Sequence, residues 1–183
     1  MRNLATLVLM LTATLATGLA WAATTYKVGD EVADVSLAMA DGKDVKLSSH
    51  EGSTVLLYFY GTWTRRAGEE AKQVEAIRKA RAKQKLVVVG IARDAKAQDA
   101  KKFAEDYKLG FVQATDAKSE LYGKFASKGL PWIAILDGKR KLKHSAAGID
   151  EDAIEEALKG LLGAKDPAAD EKDVKKDDGG GKR

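Results

Sequence analysis

The sequence predicts an α/β fold in which a mixed central sheet is flanked by helices, with an N-terminal β-hairpin extension ahead of it. Three observations lead there. Residues 55–60, 86–92 and 132–136 are continuous apolar runs rich in β-branched or aromatic side chains, which suit strands buried on both faces. The stretches between and after them repeat apolar residues every three or four positions, as helices with one buried face do. Asp41-Gly42-Lys43 and Asp137-Gly138 are turn signals that join neighbouring strands antiparallel.

Residues 26–47 read as two short extended segments around the first turn, because Val45 and Leu47 alternate with Asp44 and Lys46. The run at 55–60 is the first core strand. Ala67, Ala71, Val74 and Ile77 define a helix that leads to the run at 86–92, so residues 55–92 form a βαβ unit. Ala100, Phe103, Ala104 and Tyr107 mark a second helix; Ala117, Leu121 and Phe125 mark a third directly after it. The strand at 132–136 then turns at Asp137-Gly138 into a last strand, and Ile154, Ala157, Leu158, Leu161 and Leu162 close the domain with a helix. The expected order after the hairpin is βαβ, helix, helix, ββα.

Both ends differ in composition from this middle. Residues 1–22 read as a signal peptide, with Arg2 as the charged start, an apolar stretch to Leu19 and Ala20-Trp21-Ala22 as a small-x-small cleavage pattern. Thr12, Thr14 and Thr17 interrupt that stretch, which falls short of the roughly 20 apolar residues that a membrane span needs. The expectation is an exported protein, periplasmic or extracellular, with no stable membrane anchor after signal cleavage. Residues 164–183 lack apolar periodicity and read as a disordered charged tail. Residues 23–163 are left as one domain.

The chain has no cysteine, which removes disulfides, lipid attachment through a cysteine and every thiol reaction. Its net charge of +4 falls to +3 once Arg2 and a balanced tail of six basic and six acidic residues are set aside. Basic clusters at 79–85 and 139–144 lack interleaved aromatics, so no nucleic-acid partner is expected. His50 and His144 stand alone without ligand spacing, and Thr64 has no histidine or aspartate near it in sequence to make a triad. Neither a metal nor a cofactor is expected.

The residues after the first core strand are Gly61-Thr62-Trp63-Thr64-Arg65-Arg66-Ala67. They resemble the strand-to-helix turn of thioredoxin-fold oxidoreductases, in which Trp is followed by Cys-x-x-Cys, with Thr64 and Ala67 in the cysteine positions. Val28-Gly29-Asp30, then Asp41-Gly42-Lys43 with Val45 and Leu47-Ser48, resemble the V-G-D and D-G-K-x-V-x-L-S of TlpA-like members of the alkyl hydroperoxide reductase/thiol-specific antioxidant (redoxin) group. Gly52 precedes the core strand, and Glu70 stands where such proteins often carry a glutamate. Gly129-Leu130-Pro131 occupies the place where the superfamily has a cis-proline; the other reading is a trans proline opening an edge strand. Lys72 departs from the pattern, which often has a helix-kinking proline there.

The resemblance implies a thioredoxin-like fold and a thiol-disulfide oxidoreductase or peroxidase class. Thiol exchange needs a thiolate, so the catalytic set is empty and Thr64 and Ala67 are vacated dithiol positions. One reading is a non-catalytic binding or scaffold module using Trp63, Thr64, Arg65, Arg66, Leu130 and Pro131. Thr64 would cap a helix starting there, and the two arginines would oppose the helix dipole unless a peptide, an acidic protein segment or a small anion met them. The plainer account has both arginines solvated or compensated by Glu69 and Glu70. The second function class is an oxidoreductase of the redoxin family, in cell redox homeostasis, acting with a cysteine-bearing partner.

Overall fold

The computed structural model describes residues 25–93, 96–125 and 128–164. The signal-peptide reading, and the tail reading beyond Ala164, lie outside them.

The described residues form seven strands and four α-helices: β1 (Ser36–Met39), β2 (Asp44–Lys46), β3 (Thr54–Tyr60), α1 (Ala67–Ala80), β4 (Leu86–Arg93), α2 (Ala97–Asp106), β5 (Val112–Asp116), α3 (Glu120–Phe125), β6 (Trp132–Leu136), β7 (Leu142–Ala147) and α4 (Glu151–Leu162). They build one mixed sheet in the order β2-β1-β5-β4-β3-β6-β7. Strand β3 pairs parallel with β4 from Thr54↔Leu86 to Tyr60↔Ala92 and antiparallel with β6 from Val55↔Leu136 to Phe59↔Trp132. All seven β3 residues are buried, as an apolar run without alternation requires.

The pleat sorts those side chains between two cores. Leu56, Tyr58 and Tyr60 pack with Ala71 and Val74 of α1, Phe103 of α2 and Ile154 and Leu158 of α4. Val55, Leu57 and Phe59 pack on the other face with Tyr122 and Phe125 of α3 and with Val32, Leu37 and Leu47 from the N-terminal region. Two successive parallel crossovers, β3-α1-β4 and β4-α2-β5, move in one direction along the sheet and leave α1 and α2 on the same face. The expected hairpin is β1-β2, with Leu37 opposite Val45.

Strand β5 departs from the expected order. It lies between α2 and α3, parallel to β4 and antiparallel to β1, and joins the hairpin to the core. Its sequence hides it, because a polar residue near its start, Gln113, is buried at 8 % exposure while accepting a hydrogen bond from the Tyr60 hydroxyl at 2.7 Å. Burial by pairing polar groups leaves no hydrophobic alternation to read. The third helix is also shorter than its periodicity suggests, since Ala117 lies in the turn before Glu120.

The connection after Leu136 spans residues 137–141. The Asp137 carboxylate accepts from the backbone N–H groups of Lys139 and Lys141, and Arg140 takes the left-handed conformation with φ 61°. A positive-φ residue after a tight turn lets the strands keep their twist.

Candidate functional site

The turn at 61–66 leaves the carboxyl end of β3 and leads into α1. Two tight backbone turns follow: Thr64 N–H donates to Gly61 O at 3.1 Å, and Ala67 N–H to Thr64 O at 3.1 Å. Helix α1 therefore begins at Ala67 with Arg66 as its N-cap, and no side chain caps it. The expectation that Thr64 caps a helix beginning near it is overturned: the first helical bond, from Glu70 N–H, goes to Arg66 O, so Arg66 holds the cap position and the Thr64 side chain makes no cap. Glu69 and Glu70 in the first helical turn offset the dipole instead.

The six expected binding residues are placed as follows. Trp63 is 57 % exposed, and its indole folds back over Gly61, where an added Cβ would sit 2.7 Å from the ring. Thr64 is half-buried, Arg65 and Arg66 are exposed, and Ala67 is buried at 2 %. Arg66 Nε lies 3.7 Å from Glu69 Oε2 with both side chains well exposed, a contact worth about 1 kcal/mol or less. Arg65 has no ion pair among the described residues.

Leu130 and Pro131 immediately precede β6, and the Phe59↔Trp132 register lays them alongside the chain leaving β3. The Leu130–Pro131 peptide is cis. Strand β6 lies between β3 and β7, so the edge-strand reading of Pro131 is overturned. Tyr122 holds this loop by donating its hydroxyl to Gly129 O at 2.6 Å, while Gly148 N–H donates to Pro131 O at 2.8 Å. The Arg93 guanidinium stacks 4.6 Å from the Tyr122 ring centroid and donates to Ser119 Oγ. Tyr122 and Arg93 went unread in the sequence, where an aromatic at a helical position signals only core.

Below the turn, Tyr58 and Tyr60 stack at 5.0 Å. Burial pushes both phenols far above the ordinary tyrosine value, and the Glu70 carboxylate adds to the effect at Tyr58. The Tyr58 hydroxyl is buried without a hydrogen-bond partner among the described residues. The ring of Tyr107 lies against α1 at Gly68, where an added Cβ would meet it at 2.1 Å, with Lys72 Nζ 5.7 Å from its centroid. Lysine at the position of the family's proline thus docks on an aromatic.

No group of three or more potential metal ligands occurs among the described residues, and His50 and His144 sit in the β2–β3 connection and in β7, on other elements. Among the described residues, the Thr64 hydroxyl is hydrogen-bonded to no base. What the turn offers is an exposed indole, two guanidinium groups and a helix start.

Known proteins resemble this arrangement. The thiol-disulfide oxidoreductase ResA of Geobacillus thermodenitrificans is 24 % identical over 125 residues, covering 68 % of this chain and 72 % of ResA. A candidate thiol:disulfide interchange protein DsbE from Chlorobium tepidum superposes with TM-score 0.61 at 29 % identity, over 75 % of this chain and 99 % of its own. Peroxidoxin BcpB from Mycobacterium tuberculosis gives TM-score 0.63 at 24 % identity, covering 74 % and 96 %. Such neighbours identify the mixed sheet and its helices as a thioredoxin-like fold. Residues 28–145, which run from the V-G-D-like opening into β7, match the AhpC/TSA family, and the chain belongs to it.

Proposed function

We propose that this protein is a redox-inactive binding module that uses the vacated turn to hold an extended acidic segment or a small anion. One observation carries the reading: Arg65, exposed in the turn after β3 and two residues from exposed Trp63, has no carboxylate partner among the described residues. A guanidinium recognises a carboxylate through paired hydrogen bonds, and an indole supplies apolar contact next to it. In the chain before β6 the carbonyls of Gly129 and Pro131 are already engaged, which leaves the backbone groups of Leu130 for an extended peptide. Export fits this reading, supported by the pattern of residues 1–22 and by one structural neighbour described as a secreted Mycobacterium tuberculosis disulfide oxidoreductase.

The test is fluorescence anisotropy with an Asp/Glu-rich extended peptide and a Lys-rich peptide of equal length. The acidic peptide binds, and Arg65→Ala/Arg66→Ala weakens it by about tenfold, the equivalent of one charge-assisted contact. Equal affinity of wild type and variant overturns the site.

A second reading, redox work alongside a cysteine-bearing partner, draws on the family match and on the relatives' names. The isolated protein should then reduce no insulin disulfide. Turnover above buffer would overturn the redox-inactive reading.

A further inference from the structure

A second concave site lies at the other end of the parallel strands, where β5 begins. A cavity of about 840 Å³ opens between α2 and the β1–β2 hairpin. Met39, Val45, Ala104, Leu109 and Val112 give it an apolar lining, and Val112 keeps 44 % exposure there. Its size falls within the range of pockets that enclose small organic ligands.

Its charged groups are arranged unequally. Lys43, Lys101 and Lys108 line the cavity against Asp41 and Glu105. Asp41 already pairs with Lys43 at 3.5 Å. Lys101 and Lys108 have no ion pair among the described residues, whereas the Glu105 carboxylate interacts with Lys102 as well.

Lys108 adds an independent clue. Helix α2 ends in a Schellman arrangement: Leu109 N–H donates to Ala104 O at 2.9 Å and Lys108 N–H to Glu105 O at 3.2 Å, with Lys108 left-handed at φ 54°. Glycine is the stable residue at that position, because it lacks the Cβ that the left-handed region disfavours. A lysine held there sets a cation at the cavity at the expense of local stability.

We propose that this cavity binds a medium-chain fatty acid, its carboxylate between Lys101 and Lys108 and its chain over the apolar lining. The site is independent of the turn at Trp63, which follows the opposite end of the parallel strands.

Calorimetric titration of the purified protein with dodecanoate below its micellar concentration tests this, with dodecanol and acetate as controls. Dodecanoate binds with saturation at one site per chain, and dodecanol and acetate bind about tenfold more weakly or less. Lys108→Gly raises the melting temperature of the ligand-free protein yet weakens dodecanoate binding, opposite effects that a purely structural lysine would not give. Ala104→Trp fills the cavity and abolishes binding, and Arg65→Ala/Arg66→Ala leaves it unchanged. The proposal is overturned by non-saturable binding, by dodecanol binding as tightly as dodecanoate, by undiminished binding to Lys108→Gly, or by loss in the double-arginine variant.

Discussion

A half-buried threonine at position 64 and a buried alanine at position 67 stand where the sequence resemblance implies cysteines. If the frame is otherwise intact, replacing both atoms should restore chemistry. Thr64→Cys/Ala67→Cys is expected to form an internal disulfide and to catalyse insulin reduction with a dithiol reductant, where wild type does not. Tyr58 and Tyr60 show how two like residues differ by their partners. The Tyr60 hydroxyl donates to buried Gln113, so Tyr60→Phe should cost about 1 kcal/mol; the Tyr58 hydroxyl has no partner among the described residues, so Tyr58→Phe should be neutral or stabilising in urea denaturation. Both phenols are raised in the folded state, chiefly by burial. The unfolded chain ionises them first, so their contribution to stability is intact below about pH 10 and is lost above it, at up to about 1.4 kcal/mol per pH unit for each tyrosine. Denaturation midpoints from pH 9 to 11 should show a shallower fall for Tyr58→Phe than for wild type.

Among the elements, those with a continuous apolar run were legible in sequence. Strands β3, β4 and β6 could sit only inside a doubly covered sheet, and α1 and α4 each present one apolar stripe. Strand β5 was not legible, because Gln113 is buried through Tyr60, a residue 53 positions away. The apolar repeat from Ala67 matched the start of α1, but its cap is Arg66 and not Thr64, because two backbone turns at 61–67, invisible to side-chain patterns, come before it. The β4–β5 junction also demands a small residue. A Cβ at Gly90 would lie 2.5 Å from the Phe111 ring and 3.1 Å from Gln113 Oε1, both inside the core. Gly90→Ala should therefore cost about 1–3 kcal/mol by overpacking, measured by chemical denaturation.

On the scale of the whole molecule, the ends of α1 and α4 are tied through Arg81, which is 1 % exposed. Its guanidinium donates to Glu155 Oε2 at 2.7 Å, to Gln84 Oε1 at 2.7 Å and to the carbonyl of Gly163 at 3.2 Å. Removing one member of a buried ion pair costs about 3–5 kcal/mol, so Arg81→Met should lower the thermal midpoint far more than a change at exposed Arg65. No described helix is long and apolar enough to cross a membrane. The vacated turn and the β5 cavity lie at opposite ends of the parallel strands, so one sheet presents two separate concave regions.

The sequence by itself determined the fold class and the absence of thiol chemistry, because both rest on local composition, apolar runs and missing sulfur, while Trp63 to Ala67 drew attention through its resemblance to the family's strand-to-helix turn. Only the tertiary structure decided that β5 completes the sheet, that Tyr122 holds the Gly129 loop, that Arg81 is buried, and that Lys101 and Lys108 face an apolar cavity. Each of these depends on partners brought together from distant parts of the chain, and a hydrogen bond or a shared cavity leaves no periodic trace in either of its partners' sequences.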